Sequence, residues 1–152
     1  MSTDLAAPIR KETVVTAAPE LAFHIFTAEI DRWWPTLTHS VGGKDVVGVS
    51  IDGRVGGLVA EATRDGQRHV WGSVRLWDPP RRAVFAWHPG RPATDPTELE
   101  LRFEPVDGGT RLVLEHRGWD RVAWHGERAS YEPGWDAVIA RFVSDVAGHS
   151  LR

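Results

Sequence analysis

Residues 133–148 read PGWDAVIARFVSDVAG. From Trp135 the apolar side chains fall at 135, 138, 139, 142, 143 and 146, which places them on one stripe of a helix. Pro133 suits the first turn, where its missing N–H is no loss, and Gly148 suits the end. The spacing predicts a helix of about 14 residues, roughly 21 Å at 1.5 Å per residue. A rod of that length lies across several strands at their spacing of about 4.8 Å.

Strands are what precede it. Residues 97–103 and 110–116 alternate apolar and polar, joined through Asp107-Gly108-Gly109. Residues 82–88 form a strand between the turn Asp78-Pro79-Pro80 and a proline-containing loop. Residues 55–64 and 67–77 flank Asp65-Gly66, the preferred centre of a two-residue type I′ hairpin. Val47, Val49 and Ile51 alternate before Asp52-Gly53, and residues 9–16 (IRKETVVT) are rich in β-branched side chains. Between these two strands, a helix from Pro19 to about Ala28 sets Leu21, Ala22, Ile25, Phe26 and Glu29 at helical spacing. Residues 30–34 add a turn that Pro35 stops. About seven strands with closely spaced turns imply an α+β fold with an antiparallel meander rather than a parallel sheet. A curved sheet gripping the terminal helix covers both apolar surfaces. Residues 1–8 are expected to fray, leaving 9–152 as one domain without repeat or linker.

Composition narrows the function. Eighteen basic against 21 acidic residues leave a net charge of −3 with mixed signs, which disfavours nucleic acid and anionic membrane as partners. The absence of Cys excludes disulfides, thiolate metal sites and thiol nucleophiles. No apolar run reaches the length of a membrane span or a signal peptide core, so a cytoplasmic protein is expected. Trp is over-represented, 8 residues against 5 Phe and 1 Tyr. These rings enlarge a core or line a cavity for a flat apolar ligand.

The order strand, two short helices, six-strand meander and long helix resembles the START-like (Bet v 1-like, SRPBCC) helix-grip fold. Local sequence resembles the branch related to the C-terminal domain of the activator of Hsp90 ATPase. The matching segments are Ala18-Pro19-Glu20-Leu21-Ala22-Phe23, Trp33-Trp34-Pro35, Gly56-Gly57, and Asp78-Pro79-Pro80-Arg81-Arg82 running into Val84-Phe85-Ala86-Trp87. Gly108-Gly109-Thr110, Leu114-Glu115-His116 and Gly134-Trp135 complete the set. The resemblance implies an apolar cavity between helix and sheet. It also spans several activities: co-chaperone domains tied to stress response, carriers of hydrophobic ligands, polyketide cyclase-like enzymes and proteins that protect producers from enediyne antibiotics. Trp33-Trp34-Pro35 and the His116-x-x-Trp119-Asp120 stretch look most like the last group.

Strand parity nominates the lining. Phe85, Trp87, Leu99, Leu101, Phe103, Leu112, Leu114 and His116 share the inward face, opposed by Trp135, Ile139 and Phe142 from the helix. The hairpin is ambiguous. With 64 paired to 67, one face holds Leu58, Ala60, Ala62, His69, Trp71, Ser73 and Arg75, and the other Val59, Glu61, Val70, Gly72, Val74 and Leu76. Ring size favours Trp71 inward, a bulge at Gly72 would switch the faces, and Arg75 or Glu61 is a candidate polar anchor. Burial of His116 would lower its pKa, giving either a ligand anchor or a histidine bonded to the loop beneath it. Trp33 joins the lining set. Trp33, Trp34, Trp119, Trp124 and Tyr131 fall in connections near the mouth, as a lid or as a staple for the loops.

No nucleophile elbow, phosphate loop, dinucleotide fingerprint or zinc-helix motif occurs, and the seven His show no ligand-like pair, so neither catalytic residues nor metal nor cofactor is expected. Glu98 and Glu100 share the opposite face, which parity assigns to solvent. The expected partner is a hydrophobic, aromatic or polycyclic small molecule sequestered in the cavity, with no membrane insertion. A protein partner of a co-chaperone-like module and a cyclase-like enzyme using His116, Glu61 or Arg75 are the alternatives.

Overall fold

The computed structural model describes residues 5–149. Strand β1 (Ile9–Val15) leads into α1 (Pro19–Thr27) and α2 (Ile30–Trp33). Six strands follow: β2 (Val46–Ile51), β3 (Leu58–Thr63), β4 (Arg68–Asp78), β5 (Arg82–Trp87), β6 (Thr97–Val106) and β7 (Gly109–Arg117). Helix α3 (Arg128–Gly148) is the last element among the described residues. The sheet order is β1-β7-β6-β5-β4-β3-β2, antiparallel at every pairing, and the curled sheet grips α3: a helix-grip fold.

Four sequence expectations change. Helix α3 has 21 residues and starts at Arg128, so Pro133 lies inside it. The intrahelical bond that proline cannot donate would go to Ala129, which is exposed to water, so the break is tolerated. Residues 5–8 are held: Leu5 packs on the core, and the Arg128 guanidinium donates to the Ala7 and Pro8 carbonyls. Residues 1–4 lie outside the described residues. Val47 is exposed, because the β2–β3 register shifts beside it. Finally, the 64–66 loop is not a type I′ turn. Only Gly66 has positive φ (+85°); Asp65 stays on the negative side, accepting from Thr63 Oγ1 and the Gln67 amide.

That loop decides the hairpin. Thr63 N donates to Gln67 O, giving a three-residue connection and pairing Glu61 with His69, one step from the expected register. The register then shifts between Val59 and Ala60, where Trp71 is the extra residue on β4. Pairing Glu61 with His69 puts Trp71 on the face of Glu61 and Val59, all buried, and the bulge returns Val74 to that face while Arg75 is exposed.

The end of the core beneath α1 and α2 is packed solid. Phe23 meets Phe103 edge-on at 5.1 Å, Phe26 lies 5.0 Å from Phe142, and Trp33 lies 5.4 Å from Phe142. Leu101, Leu112 and Leu114 are fully buried around them. This part of the predicted hollow is filled with side chains.

The opposite face of the sheet is not a plain solvated surface. Glu100 is only 5% exposed, beneath Arg82, Arg102 and Arg117. Arg117 also donates to Glu98 at 2.6 Å and Glu115 at 3.2 Å, and the network continues through Arg10, Glu12, Glu104 and Arg111. Arg117→Ala would leave Glu100 and Glu98 under-partnered, at a cost of about 1–2 kcal/mol that shrinks as salt rises. Urea unfolding at low and high salt checks this. Equal losses at both would mean that packing of the arginine stem, not its charge, matters.

At the free edge, Asp31 of α2 reaches over β2, its Oδ1 accepting from the Val49 amide at 2.9 Å.

Candidate functional site

A pocket of about 370 Å³ opens at the other end of the grip, between α3, strands β4 and β5, and the loop after α2. Its walls include Trp34, Trp71, Trp87, Tyr131, Trp135 and Val138. The rings pack on one another at angles: Trp34 lies 5.2 Å from Trp71, Trp87 lies 5.8 Å from Trp135, and Tyr131 lies 6.1 Å from Trp135. Their interplanar angles range from 43° to 45° in these pairs to 84° between Trp34 and Trp135.

Three of the four indoles are fixed by their edges. An indole N–H is a donor only, so its partner must accept. Trp34 Nε1 donates to the His39 carbonyl at 2.7 Å, which folds the following loop back over the pocket. Trp71 Nε1 donates to Glu61 Oε1 at 2.7 Å. Trp135 Nε1 donates to His116 Nδ1 at 3.0 Å. Trp87 Nε1 is buried near the Tyr131 hydroxyl without completing a hydrogen bond.

The Trp135 bond sets the histidine's tautomer. With Nδ1 accepting, the proton sits on Nε2, which donates to Thr97 Oγ1 at 2.6 Å; Thr97 in turn donates to the Trp87 carbonyl at 2.8 Å. A closed chain thus runs Trp135–His116–Thr97–Trp87. Burial, aided by the charges of Arg117 and Arg128, pushes the His116 pKa down to about 3. The imidazole is neutral, both its nitrogens are engaged within the fold, and it does not reach the pocket. Sequence placed it as a ligand anchor or a structural histidine; its bonds here are to the framework that holds two pocket rings.

Glu61, wholly buried, performs the matching task for Trp71 and the mouth loop. Oε1 accepts from the Val41 amide and Trp71, and Oε2 from the Gly42 amide and His69 Nδ1 at 2.8 Å. Burial raises the carboxyl, but the bonds from His69, Val41, Trp71 and Gly42 outweigh it and hold the pKa below the ordinary value. Tyr131 moves the other way, pushed up to about 12 chiefly by burial, so its hydroxyl stays protonated.

Of the residues predicted from sequence, Trp71, Trp87 and Trp135 line the pocket, joined by Trp34 and Tyr131 from the lid set. Trp33, Phe85, Leu99, Leu101, Phe103, Leu112, Leu114, Ile139 and Phe142 are core. Trp33, Trp119 and Trp124 anchor connections: their N–H groups donate to the carbonyls of Ile25, His116 and Asp95. Glu61 lies behind the wall, and Arg75 points to solvent. Sequence reasoning missed the rim: Thr38, His39, Ser40, Val41, Pro89 and Ser130. The segment 36–45 has no period to read, and the signal that could have found it is the indole donor of Trp34 just before it.

Among the described residues, no group of three or more His, Asp or Glu side chains is placed to hold a metal, and no helix is long and apolar enough to cross a membrane.

Comparison with solved structures returns the same architecture. CalC from Micromonospora echinospora, described as a self-sacrificing resistance protein, shares 24% identity and a TM-score of 0.71 over 96% of this chain and 97% of its own. An AHSA1-like protein from Aeromonas hydrophila shares 20% over 95% of each chain (TM-score 0.67). The Aha1 dimer from Colwellia psychrerythraea shares 17% over 91% of this chain and 95% of its own (TM-score 0.65). A search of curated protein sequences returned no match. The family described as activator of Hsp90 ATPase homolog 1-like protein matches residues 16–146, from the end of β1 to the last buried valine of α3. By that match across nearly all of its sheet and helices, the chain belongs to the activator of Hsp90 ATPase homolog 1-like family.

Proposed function

We propose that this protein binds and sequesters a hydrophobic small molecule with an aromatic or polycyclic face in the Trp34–Trp71–Trp87–Trp135 pocket. The observation that carries the reading is a pocket of ligand size walled by four indoles and a phenol, with Trp71 and Trp135 held by Glu61 and His116 behind the wall. Transfer of flat apolar surface from water onto these rings supplies the driving force, at about 25 cal/mol per Å². A cyclase-like reaction gains no support from His116, whose two nitrogens are already bonded.

Gly134 gives a clean test. It lines the pocket from within α3, and a Cβ built there stands 3.8 Å from the His39 ring, in ordinary contact. Gly134→Ala is expected to stabilise the fold by up to about 1 kcal/mol, by removing a helix-interior glycine. Gly134→Leu extends side-chain volume into the pocket while removing no hydrogen bond. Thermal-shift and Trp-fluorescence titration with a panel of polycyclic aromatics should show saturable binding to the natural protein and at least about tenfold weaker binding to Gly134→Leu. Absence of binding across the panel, with the protein folded, would sink the reading.

A further inference from the structure

We propose that the ligand of this pocket is cationic: an organic ammonium or an aromatic ring bearing a positive charge, held by cation–π contact. The inference rests on the pocket being the binding site and adds the charge of what enters it.

The argument is one of polarity. An aromatic ring is negative on its face and positive at its edge. The most positive part of an indole is its N–H, and no wall indole offers that group to an entering molecule. Trp34, Trp71 and Trp135 direct theirs to protein acceptors, and that of Trp87 is buried. The four rings that wall the pocket are tilted by 43° to 84° to one another, so their planes do not share one orientation. Two of the acceptors deepen this polarity: Trp71 bonds a charged carboxylate, and Trp135 a neutral imidazole.

The remaining lining points the same way. Among the described residues no Lys or Arg lines the pocket, and its one carboxylate is Glu127. That side chain binds Arg91 at 2.7 Å on one oxygen and Ser130 on the other, so it adds an acceptor-rich rim rather than a bare charge. The Ser40 hydroxyl donates to the Thr36 carbonyl, and the single Ser130 proton is shared between the Glu127 carbonyl and its carboxylate. An anion would meet few free donors here and neither lysine nor arginine. A quaternary ammonium needs no hydrogen bonds, only polarisable faces, and clusters of aromatic rings are how proteins hold one.

The test uses an isosteric pair, phenyltrimethylammonium and tert-butylbenzene, titrated against the full chain by Trp fluorescence. The cation should bind about tenfold tighter or better. Gly134→Leu should abolish that binding, and Glu127→Gln should weaken the cation several-fold while leaving tert-butylbenzene unchanged. Equal or tighter binding of tert-butylbenzene overturns the inference, as does cation binding that Gly134→Leu leaves intact. If neither probe binds but neutral polycyclic compounds do, the charge inference alone falls. If nothing binds, the pocket reading falls with it.

Discussion

His116→Leu is expected to lower unfolding stability at neutral pH by about 2–4 kcal/mol, because it strands the buried Trp135 N–H and removes the donor to the buried Thr97 oxygen. For a chain of this size the melting temperature should drop by about 5–15 °C. Leucine is close to imidazole in volume, so little of the loss comes from a cavity. The cause is the chain Trp135–His116–Thr97–Trp87, in which every link has one direction of donation. Its pH dependence separates this from generic core damage. The folded imidazole has its pKa near 3 and an unfolded one near 6.5. Between those values unfolded chains bind a proton that folded chains refuse. Stability is therefore full above the unfolded value and declines as the pH falls, by about 1.4 kcal/mol per pH unit for this one group. The leucine variant lacks that slope, so the gap between the two proteins should narrow from neutral pH towards pH about 4. A constant gap in urea titrations would mean that the buried imidazole is not neutral.

Glu61→Ala should cost more, about 3–5 kcal/mol, since four buried or half-buried donors lose their acceptor together. Glu61→Gln is a sharper probe. An amide keeps one acceptor oxygen, but it turns an NH₂ group towards two donors that the second oxygen served. It should lose about half as much stability, on the order of 2 kcal/mol. Both variants should free the mouth loop at Val41 and Gly42, measured as faster amide exchange there than in β6 or β7. Protection at Val41 and Gly42 equal to that of the natural protein would refute the anchoring role. Because the folded carboxyl lies below its ordinary value, its contribution is complete above the unfolded pKa and is lost as the pH falls through the folded one.

The parts legible in sequence were those where period and burial agree. On β5, β6 and β7 the inward residues alternate without interruption from Phe85 to His116 and all are buried, although Val84, Ala86, Glu100 and Val113 on the opposite face are covered as well. The stripe from Trp135 to Val146 settled α3 equally well, although its true start was hidden because Pro133 reads as a beginning. The hairpin failed for a local reason. Asp65-Gly66 carries the composition of one turn type, while the Asp65 carboxylate, bonded to Thr63 and the Gln67 amide, stabilises another. A one-residue change of loop length exchanges the faces, and the Trp71 bulge exchanges part of them back, so neither face list could be right as a whole. The pocket was half legible. Its rings could be named from their size, but its rim comes from aperiodic loops whose position depends on Glu61 and the Trp34 N–H. Glu100 was assigned to solvent by parity, and arginines from three strands cover it.

The contact between Asp31 and the Val49 amide bears on how the protein behaves in a crowd. A sheet that ends in an outer strand offers its unpaired amides to any extended chain that drifts past, and stacking of such edges is how soluble proteins turn into fibrils. Here a carboxylate already occupies the Val49 position on that border. An incoming strand in register would have to evict it and bury a charge in doing so. One aspartate on a four-residue helix thus acts as a bumper that keeps neighbouring molecules from zipping together.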